Sequence, residues 1–533
     1  MQRLRIRSFW WLAFAASSAF AACSGGGANS SPGGANGTPS PHAASPSPTA
    51  AASVSAAPTP TGSGVATATP TAIAGAQVSV DGTHALETIP PVILGANMAV
   101  WFDITQAGIA TSLKTAGFTA TRWPGGSDSD AYHWATNTLC AGGYANASST
   151  FDNFMKDVAV PGSLDVAITL NYGSNAACNG GGDPSEAAAW VNYANNTQHY
   201  GIHWWTVGNE EYGSWEYDLH ASPHNPTTYA GAVAGSSGYY ASIKAVDPTA
   251  QVGVIVSPGY SWDPIVLAQA KYDFVELHWY AQAPGSESDS YLTTKAPQAL
   301  TATIATLKSE MSTAGTNVPI YVGELGSVYS NPGKQTTSIT QALFAGQVIG
   351  ELLNDGVARS TWWLGYGGCS DASSGNFSSS LYGWQSFGGY MLLSDGLPES
   401  GCSSAPTLAL GTLLPTARAY QVASGFTHSG EKMFAATVSA SLPNVRAYAA
   451  SHGTGYALML FNLDPANAVT VPVAINTLTS GSSVAITTYG KAQYDLSQTG
   501  VWAGAASSSA GSWHGTFSVL LPPWSMSTVT VSP

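Results

Sequence analysis

Residues 202–211 read IHWWTVGNEE, a short apolar run that ends in an amide and two carboxylates. Eight such runs follow residue 90, and stretches able to form helices separate them, among them residues 184–195, 300–312 and 336–353. The runs cover residues 92–100, 118–123, 164–170, 202–207, 251–256, 274–280, 320–322 and 361–364. Most are continuous rather than alternating, as in parallel strands that are covered on both faces. Eight successive β/α units predict an α/β fold, a (β/α)₈ barrel. The alternative is an open doubly wound sheet, but no G-x-G-x-x-G opens a helix after the first strand.

The pattern changes from about residue 415, where short β-rich runs are separated by turn residues. No long helix is evident among them, which predicts a C-terminal antiparallel β-sandwich. We place the barrel at residues 91–404 and the sandwich at residues 405–533. Residues 76–84 also read as a strand, and because a lone strand is unstable, we expect the segment 76–90 to join the sandwich.

The N-terminus reads as an export signal. Arg3, Arg5 and Arg7 precede an apolar run over residues 8–22, which is shorter than the ~20 residues that span a bilayer. The run ends in Phe-Ala-Ala-Cys23 and resembles a bacterial lipobox, in which Cys23 would be lipidated; the alternative is an ordinary cleaved signal peptide. Residues 24–75 consist almost entirely of Gly, Ala, Ser, Thr and Pro and are typical of a disordered linker. We expect an exported protein, either a cell-surface or outer-membrane lipoprotein or a secreted one.

Five cysteines agree with export. Without Cys23 an even number remains, as in an oxidising compartment, and three pairings are possible. The shorter loops favour two disulfides, Cys140–Cys178 and Cys369–Cys402. No C-x-x-C pair and no H-E-x-x-H motif is present, so we expect neither a metal nor another cofactor.

The composition restricts the partners. The net charge is −14, and only 9% of residues are charged, which argues against nucleic acid and against docking on anionic lipid. Any membrane contact would therefore come through the N-terminal lipid. The 17 Trp and 24 Tyr suit a neutral ring-shaped ligand such as a sugar.

Two carboxylates mark the predicted catalytic face of the barrel. Glu210 follows the fourth strand and Glu324 follows the seventh, and the C-terminal ends of barrel strands carry the chemistry of this fold. Such a pair suits glycoside hydrolysis, in which one carboxyl group protonates the leaving oxygen and the other attacks the anomeric carbon. The alternative is that each glutamate is a solvated residue or an ion-pair partner.

The flanking motifs resemble a known family. Asn209-Glu210 together with Glu324 resembles the clan A retaining glycoside hydrolases. Residues 122–134 (RWPGGSDSDAYHW) and residues 204–210 (WWTVGNE) are similar to the R-W-P-G-G…Y-H-W and W-W-x-V-G-N-E stretches of family 51 α-L-arabinofuranosidases. Over residues 76–533 the resemblance implies a barrel with a C-terminal sandwich and retaining hydrolysis of a plant-type polysaccharide or oligosaccharide.

The resemblance also implies residue roles. Glu210 matches the general acid/base, with Glu211 as its rival, and Glu324 matches the nucleophile. Asn209 would contact the sugar 2-hydroxyl. Arg122 and Tyr280 would keep Glu324 ionised and oriented. We expect carboxyl groups about 5–5.5 Å apart, with Glu210 protonated at rest. Three further side chains could wall the sugar, or simply pack in the barrel: Trp101, His278 and Trp363.

Two departures from the family pattern affect the substrate. Residues 95–101 (GANMAVW) contain no glutamate, whereas family members usually carry one there that binds arabinofuranose. Ser127 stands where the family often has Asn or Cys after R-x-P-G-G. Two alternatives therefore stay open. One is another clan A activity, on β-xylan, β-glucan or a glucuronide; the other is a non-catalytic surface carbohydrate-binding protein.

Overall fold

The computed structural model describes residues 77–140, 142–367, 369–370, 375–384, 386–396 and 408–533. The predicted signal peptide, the lipidation of Cys23 and the linker over residues 24–75 lie outside these residues, and so does Cys402. Those features remain predictions.

Eight parallel strands form the predicted barrel. After β1 (Val78–Thr88) they are β2 (Gly95–Asn97), β3 (Ala120–Trp123), β4 (Asp165–Leu170), β5 (Trp204–Val207), β6 (Gln251–Val256), β7 (Phe274–Gln282), β8 (Ile320–Val328) and β9 (Arg359–Ser360). Each strand from β2 to β9 pairs with the next one in sequence. Bridges from Val92 to Arg359 and from Ala96 to Trp362 join the first strand to the last and close the barrel. Five consecutive residues of β4 and all nine of β8 are buried, in keeping with strands covered on both faces.

Most helices follow barrel strands and form the outer layer of the barrel, whereas the last one lies in the C-terminal part, against the strand Ser483–Gly490. They are α1 (Ile109–Thr115), α2 (residues 151–162, with a π-helical middle, Phe154–Ala159), α3 (Pro184–Val191, continued by a π-helical turn, Asn192–Thr197), α4 (Pro226–Ala234), α5 (Tyr239–Val246), α6 (Asp263–Gln269), α7 (Asp289–Thr294), α8 (Ala296–Thr313), α9 (Ile339–Asn354), α10 (Pro415–Ser424) and α11 (Lys491–Ser497). Short 3₁₀ helices cover Ser127–Ala131 and Lys334–Thr337.

Two of these helices begin with the same sequence signal. Asp183 and Asn225 each precede a proline, and each side chain accepts hydrogen bonds from backbone N–H groups of the first helical turn. A capping carboxylate or amide satisfies donors that lack a partner within the helix, and proline fits the first helical position because it has no N–H.

The C-terminal part is a nine-stranded sheet around its own core. Its strands are β10 (Lys432–Val438), β11 (Val445–His452), β12 (Gly455–Asn462), β13 (Val469–Ile475), β14 (Ser483–Gly490), β15 (Ala506–Ser509), β16 (Phe517–Leu521) and β17 (Ser525–Ser532), together with β1. The order is β15-β14-β17-β12-β11-β10-β1-β13-β16. β1 pairs antiparallel with β10 and parallel with β13, so the segment that precedes the barrel forms part of this sheet. Three two-residue strand pairs lie outside the two large sheets: 132–133 with 138–139, 366–367 with 393–394, and 480–481 with 513–514.

Helix α10 lies within the range predicted for the sandwich, residues 405–533. Helix α10 packs against α9, and its Ala417 and Tyr420 belong to the barrel core. Proline lies at its first position and alanines lie on its buried side, as suits a short helix. The sequence predicted β-rich structure in this region, so the helix was missed. Tyr448 and Met526 of the sandwich belong to the same apolar cluster. The two parts are therefore joined by a shared core.

One predicted disulfide is present. Cys140 and Cys178 are bonded, with Cα atoms 5.5 Å apart. Cys369 is also disulfide-bonded, but the predicted Cys369–Cys402 pairing stays a prediction because Cys402 is outside the described residues. Across the described residues, no helix has both the length and the hydrophobicity needed to cross a bilayer.

Candidate active site

Glu324 lies in strand β8 with its carboxylate fully enclosed. Arg122, the third residue of β3, donates from Nη1 to Glu324 Oε1 at 3.0 Å. Tyr280, on β7, donates from its hydroxyl to Glu324 Oε2 at 2.6 Å. Both contacts match the arrangement that the sequence predicted. The two hydrogen bonds fix the orientation of the carboxylate.

Glu210 follows strand β5 and takes a left-handed backbone conformation, with φ of 46°. Its Oε1 lies 2.9 Å from His278 Nδ1, and its Oε2 accepts a hydrogen bond from the indole N–H of Trp215 at 2.9 Å. A carboxylate oxygen of Glu210 and one of Glu324 lie within 4.8 Å of each other. The two glutamates that the sequence singled out therefore face one another at the end of the barrel.

A third carboxylate, Glu276, lies beneath this pair. Its Oε1 is 2.9 Å from Arg122 Nε and 3.0 Å from His278 Nε2, and Thr206 donates to its other oxygen. Glu276 is 1% exposed. The pKa of this carboxyl is below its usual range, because the charge of Arg122 and the contact with His278 outweigh the opposing effect of burial.

The charges around the Glu210–His278 pair favour the histidine as the site of its proton. Burial lowers the pKa of His278, but the charge of Glu324 and the hydrogen bonds to Glu210 and Glu276 outweigh it and raise the pKa to about 9. Burial raises the pKa of Glu210, yet His278 and the Trp215 N–H together bring it below the ordinary value. The prediction of a protonated Glu210 at rest was therefore wrong. The prediction took account of the repulsion between the charges of Glu210 and Glu324. It did not take account of His278, which Glu276 helps to keep positively charged.

Asn209 is buried, and both the oxygen and the nitrogen of its side-chain amide form hydrogen bonds. Its Oδ1 accepts from Arg122 Nη2 at 2.7 Å, and its Nδ2 donates to Glu216 Oε1 at 3.0 Å. Ser127 donates to the same oxygen of Glu216 at 3.0 Å. Burial raises the pKa of Glu216 well above its usual range, and the nearby charge of Asp130 adds to this. The Ser127 that departs from the family pattern thus helps to hold Asn209 through Glu216.

Glu211, the rival for the acid role, lies in a different cluster of side chains from the one that contains Glu210, His278 and Glu324. It is fully buried beside Asp130, and burial together with the charge of Asp130 raises its pKa well above the usual range. Burial also raises the pKa of Asp130 to about 7. Asp130 Oδ2 accepts from the Asn209 backbone N–H at 3.0 Å, so this acid pair supports the loop that carries Glu210.

Two of the three residues predicted to wall a sugar lie together, whereas the third, His278, contacts Glu210 and Glu276. The rings of Trp101 and Trp363 are 6.0 Å apart, and only Trp101 is partly exposed. Gly126 has a φ of 63°, and a Cβ at this position would lie 2.7 Å from the Trp363 ring and 3.3 Å from the Trp101 ring. The second glycine of R-W-P-G-G therefore lets the chain pass directly beside both rings.

Three groups within the described residues bring possible metal ligands within 4.8 Å of one another. One is the active-site group of Glu210, His278 and Glu324, and another contains the bonded cysteines Cys140 and Cys178 with His133. The third consists of Glu211, Asp218 and His224. Asp218 already accepts hydrogen bonds from the backbone N–H groups of His220 and His224, and we assign no ion to this cluster.

Sequence reasoning missed Glu276, Glu216 and Trp215. Glu276 had a usable signal: it precedes His278 and Tyr280 by two and four residues on one strand, so all three point to one face. Trp215 and Glu216 lie in an irregular loop, where spacing does not predict direction.

Comparisons by sequence gave no match: no known family profile and no curated protein matches this chain. Solved structures match in fold. An α-L-arabinofuranosidase from Thermotoga maritima is 17% identical with a TM-score of 0.65, covering 86% of this chain and 100% of its own. The family 51 α-L-arabinofuranosidase of Thermotoga petrophila RKU-1 has the same identity and coverage, with a TM-score of 0.62.

The fold of this chain is that of the family 51 α-L-arabinofuranosidases. The family 51 fold includes both the barrel and the C-terminal sandwich, since the match covers the full length of these structures. A bifunctional glucanase-xylanase from a metagenome library, CelM2, shares the fold at 14% identity and a TM-score of 0.62, covering 85% of this chain and 98% of its own. The fold thus occurs with more than one substrate, and the residues of the site must decide the function.

Proposed function

We propose that the protein is a retaining glycoside hydrolase that acts on a plant-type polysaccharide or oligosaccharide. The observation that carries this proposal is the pair formed by Glu210 and Glu324, whose closest oxygens lie within 4.8 Å at the catalytic end of the barrel. Oxygens this close leave little room for the water that inverting enzymes hold between carboxyl groups ~6.5–9.5 Å apart, which favours the double displacement of retaining enzymes.

In the first step Glu324 attacks the anomeric carbon. Its carboxylate displaces the leaving oxygen and forms a covalent glycosyl-enzyme, while Glu210 passes a proton to that oxygen. His278 supplies this proton to Glu210 across the 2.9 Å contact from Nδ1 to Oε1 and becomes neutral. Arg122 and Tyr280 orient the attacking carboxylate through their hydrogen bonds.

In the second step water cleaves the glycosyl-enzyme. Glu210 accepts a proton from the attacking water, and the bond between the sugar and Glu324 breaks. The proton returns to the Glu210–His278 pair, and Glu324 recovers its negative charge. The product keeps the anomeric configuration of the substrate because two inversions cancel.

For the sugar itself, we propose an α-L-arabinofuranoside, as in the enzymes of the same fold. A second candidate is a β-xylan, β-glucan or glucuronide linkage. The missing glutamate at residues 95–101 favours this second candidate, and CelM2 shows that the fold also occurs in a glucanase-xylanase.

We also propose that the protein acts outside the cytoplasm. The Cys140–Cys178 disulfide supports an oxidising compartment, and the N-terminal sequence is typical of an export signal. Lipidation of Cys23 would tether the enzyme to a membrane. Release of a Cys23→Ser variant from membranes would support the tether, whereas unchanged membrane retention would contradict it.

Hydrolysis of a substrate panel tests the proposal. The panel contains 4-nitrophenyl α-L-arabinofuranoside, β-D-xyloside, β-D-glucoside and β-D-glucuronide, together with arabinoxylan, xyloglucan and β-glucan. We expect turnover of at least one by the wild type and near-complete loss in Glu324→Gln. Product analysis by mass spectrometry identifies the released sugar. Binding of a polysaccharide without turnover would instead support a non-catalytic carbohydrate-binding protein.

A further inference from the structure

The Cys140–Cys178 disulfide has a histidine beside one of its two sulfurs. His133 Nε2 lies 3.3 Å from Cys140 Sγ, and His133 Nδ1 lies 3.0 Å from each carboxylate oxygen of Glu186. His133 is only 5% exposed. A disulfide sulfur has no hydrogen to donate, so a hydrogen bond between ring and sulfur requires a proton on Nε2. The carboxylate thus orients an imidazole against a cysteine, the arrangement that activates thiols in Cys–His pairs.

The two sulfurs differ in access to solvent. Cys140 is 2% exposed, whereas Cys178 is exposed in the loop that follows strand β4. An incoming thiolate therefore reaches Cys178, and Cys140 becomes the leaving sulfur. This is the sulfur that His133 contacts. Thiol–disulfide exchange is faster when the leaving thiol has a low pKa, and a neighbouring imidazolium lowers the pKa of a thiol, so the arrangement favours opening of the bond.

The disulfide joins two loops that meet at Asp130. Cys140 and Asp130 lie in the connection between β3 and β4, and Cys178 lies in the connection after β4. In this second loop, the backbone N–H of Tyr172 donates to Asp130 Oδ1 at 3.2 Å, and Ser174 Oγ donates to the Asp130 carbonyl at 3.0 Å. Asp130 Oδ2 holds the backbone N–H of Asn209, the residue before the proposed acid. The bond therefore restrains the support of the acid loop.

We propose that Cys140–Cys178 is a thiol–disulfide exchange site that a dithiol opens, and that its opening loosens the loop of the proposed acid. A thiolate of the dithiol attacks Cys178 Sγ and the sulfur–sulfur bond breaks. Cys140 Sγ leaves with the electron pair and takes the proton of His133 Nε2, which solvent then replaces. The second thiol of the reductant displaces Cys178, which takes up a proton. Two electrons pass to the protein, which ends as two thiols, and the dithiol ends as a cyclic disulfide.

Reduction of the native full-length protein by dithiothreitol tests the exchange site. Free thiols are trapped with N-ethylmaleimide at timed intervals, and peptide mass spectrometry follows Cys140 and Cys178 separately from the other cysteines. We expect His133→Gln to slow the opening by about tenfold, because the leaving sulfur loses its proton donor. Glu186→Gln keeps the ring but removes the charge that orients it, and it should slow the opening less.

A monothiol identifies the sulfur that is attacked. 2-Mercaptoethanol has no second thiol with which to cyclise, so a mixed disulfide trapped by acid should lie on Cys178, with Cys140 as the free thiol. A mixed disulfide on Cys140 would overturn the proposal, as would equal opening rates in the wild type and His133→Gln. If His133→Gln destabilises the loop, opening becomes faster instead of slower, and the Glu186→Gln rate and the position of the mixed disulfide in the wild type then decide.

His220→Gln is the matched control. His220 also pairs with a carboxylate, since its Nδ1 lies 2.8 Å from Asp218, and its ring packs directly on Gly181 in the loop that carries Cys178. Among the residues that the structure describes, no contact joins its ring nitrogens to a sulfur. We therefore expect this variant to open at the wild-type rate. A rate lowered as much as in His133→Gln would show a general effect of the loop and overturn the role of His133.

Hydrogen exchange tests the link to the acid loop. After reduction, peptides that cover residues 204–216 should exchange faster by about tenfold, because Asp130 holds the Asn209 amide less firmly. Peptides from strand β12 in the sandwich should keep their rate. Unchanged exchange over residues 204–216 in the reduced protein would overturn the link. None of these measurements uses a glycoside, so their failure is distinct from failure of the proposed hydrolase.

Discussion

His278 Nδ1 lies 2.9 Å from Glu210 Oε1, and its other ring nitrogen lies 3.0 Å from Glu276. The histidine is thus held between the proposed acid and a buried carboxylate, while Glu324 adds its charge from 3.8 Å. Three carboxylates around one imidazole keep the ring protonated and leave Glu210 ionised. The proton needed by the leaving group is therefore held on His278, which is in hydrogen-bond contact with Glu210, the group that delivers it.

This arrangement predicts the alkaline side of the pH profile. Activity needs one proton on the Glu210–His278 pair, so kcat/KM should fall as the pH rises through about 9, the pKa of His278. In His278→Gln the proton must sit on Glu210 itself. Because an ordinary glutamic acid ionises near about 4.3, the alkaline limb should move to lower pH by more than about one unit. An alkaline limb at the same pH in both proteins would contradict proton storage on His278.

Glu276 should act on activity through the pKa of His278. Glu276→Gln removes one of the charges that hold the proton on His278, so its pKa should fall and the alkaline limb should move to lower pH. Glu351→Gln is a suitable control, because Glu351 is also largely buried and hydrogen-bonded, but to Tyr448 of the sandwich. The pH profiles of kcat/KM for the two variants test whether Glu276 acts through the pKa of His278. A purely structural role for Glu276 would lower activity equally at every pH.

Glu211 should not be the acid. Glu211→Gln keeps the shape of the buried side chain beside Asp130, so we expect hydrolysis of substrates with good and poor leaving groups to fall by the same factor. Glu210→Gln should instead lose most activity on poor leaving groups. The slope of log kcat/KM against leaving-group pKa measures the difference. A steep slope in Glu211→Gln with a wild-type slope in Glu210→Gln would move the acid role by one residue.

The Cys140–Cys178 disulfide should stabilise the barrel loops. It joins residues 38 apart in sequence, and closing a loop of that size in the unfolded chain is worth about 3–4 kcal/mol. We therefore expect a double Cys140→Ser, Cys178→Ser variant to lose about that much free energy of unfolding in urea titrations. A loss below about 0.5 kcal/mol, as for an ordinary surface substitution, would show that the loop is fixed by other contacts.

Much of the fold followed from the sequence because its signals are local. Continuous apolar runs predicted the barrel strands, and the polar residues that end them placed Arg122, Glu210 and Glu324 at one face. Helix α10 was missed because a ten-residue, alanine-containing helix is hard to distinguish from the β-rich segments around it. The last strand, Arg359–Ser360, precedes the run predicted at 361–364. Its position is set by hydrogen-bonded pairing with neighbouring strands and not by its own amino-acid composition.

The charge state of the site could not be predicted from the sequence. The two glutamates were found, but the protonation of Glu210 depends on His278, two strands away on β7, and on Glu276 within that strand. Three carboxylates can surround one imidazole only if each lies near hydrogen-bond distance from the ring. Such distances are set by the folded structure and cannot be inferred from the order of residues in the sequence.

Chemical rescue of Glu210→Ala tests the central claim most directly. The substrate is the dinitrophenyl glycoside of the sugar that the panel identifies, which needs little protonation to leave, so the glycosyl-enzyme on Glu324 should still form. Added azide should accelerate turnover and yield a glycosyl azide of retained configuration by ¹H NMR, because azide attacks the intermediate without a base. A glycosyl azide of inverted configuration, or rescue of Glu324→Ala but not of Glu210→Ala, would contradict the assignment of the two residues.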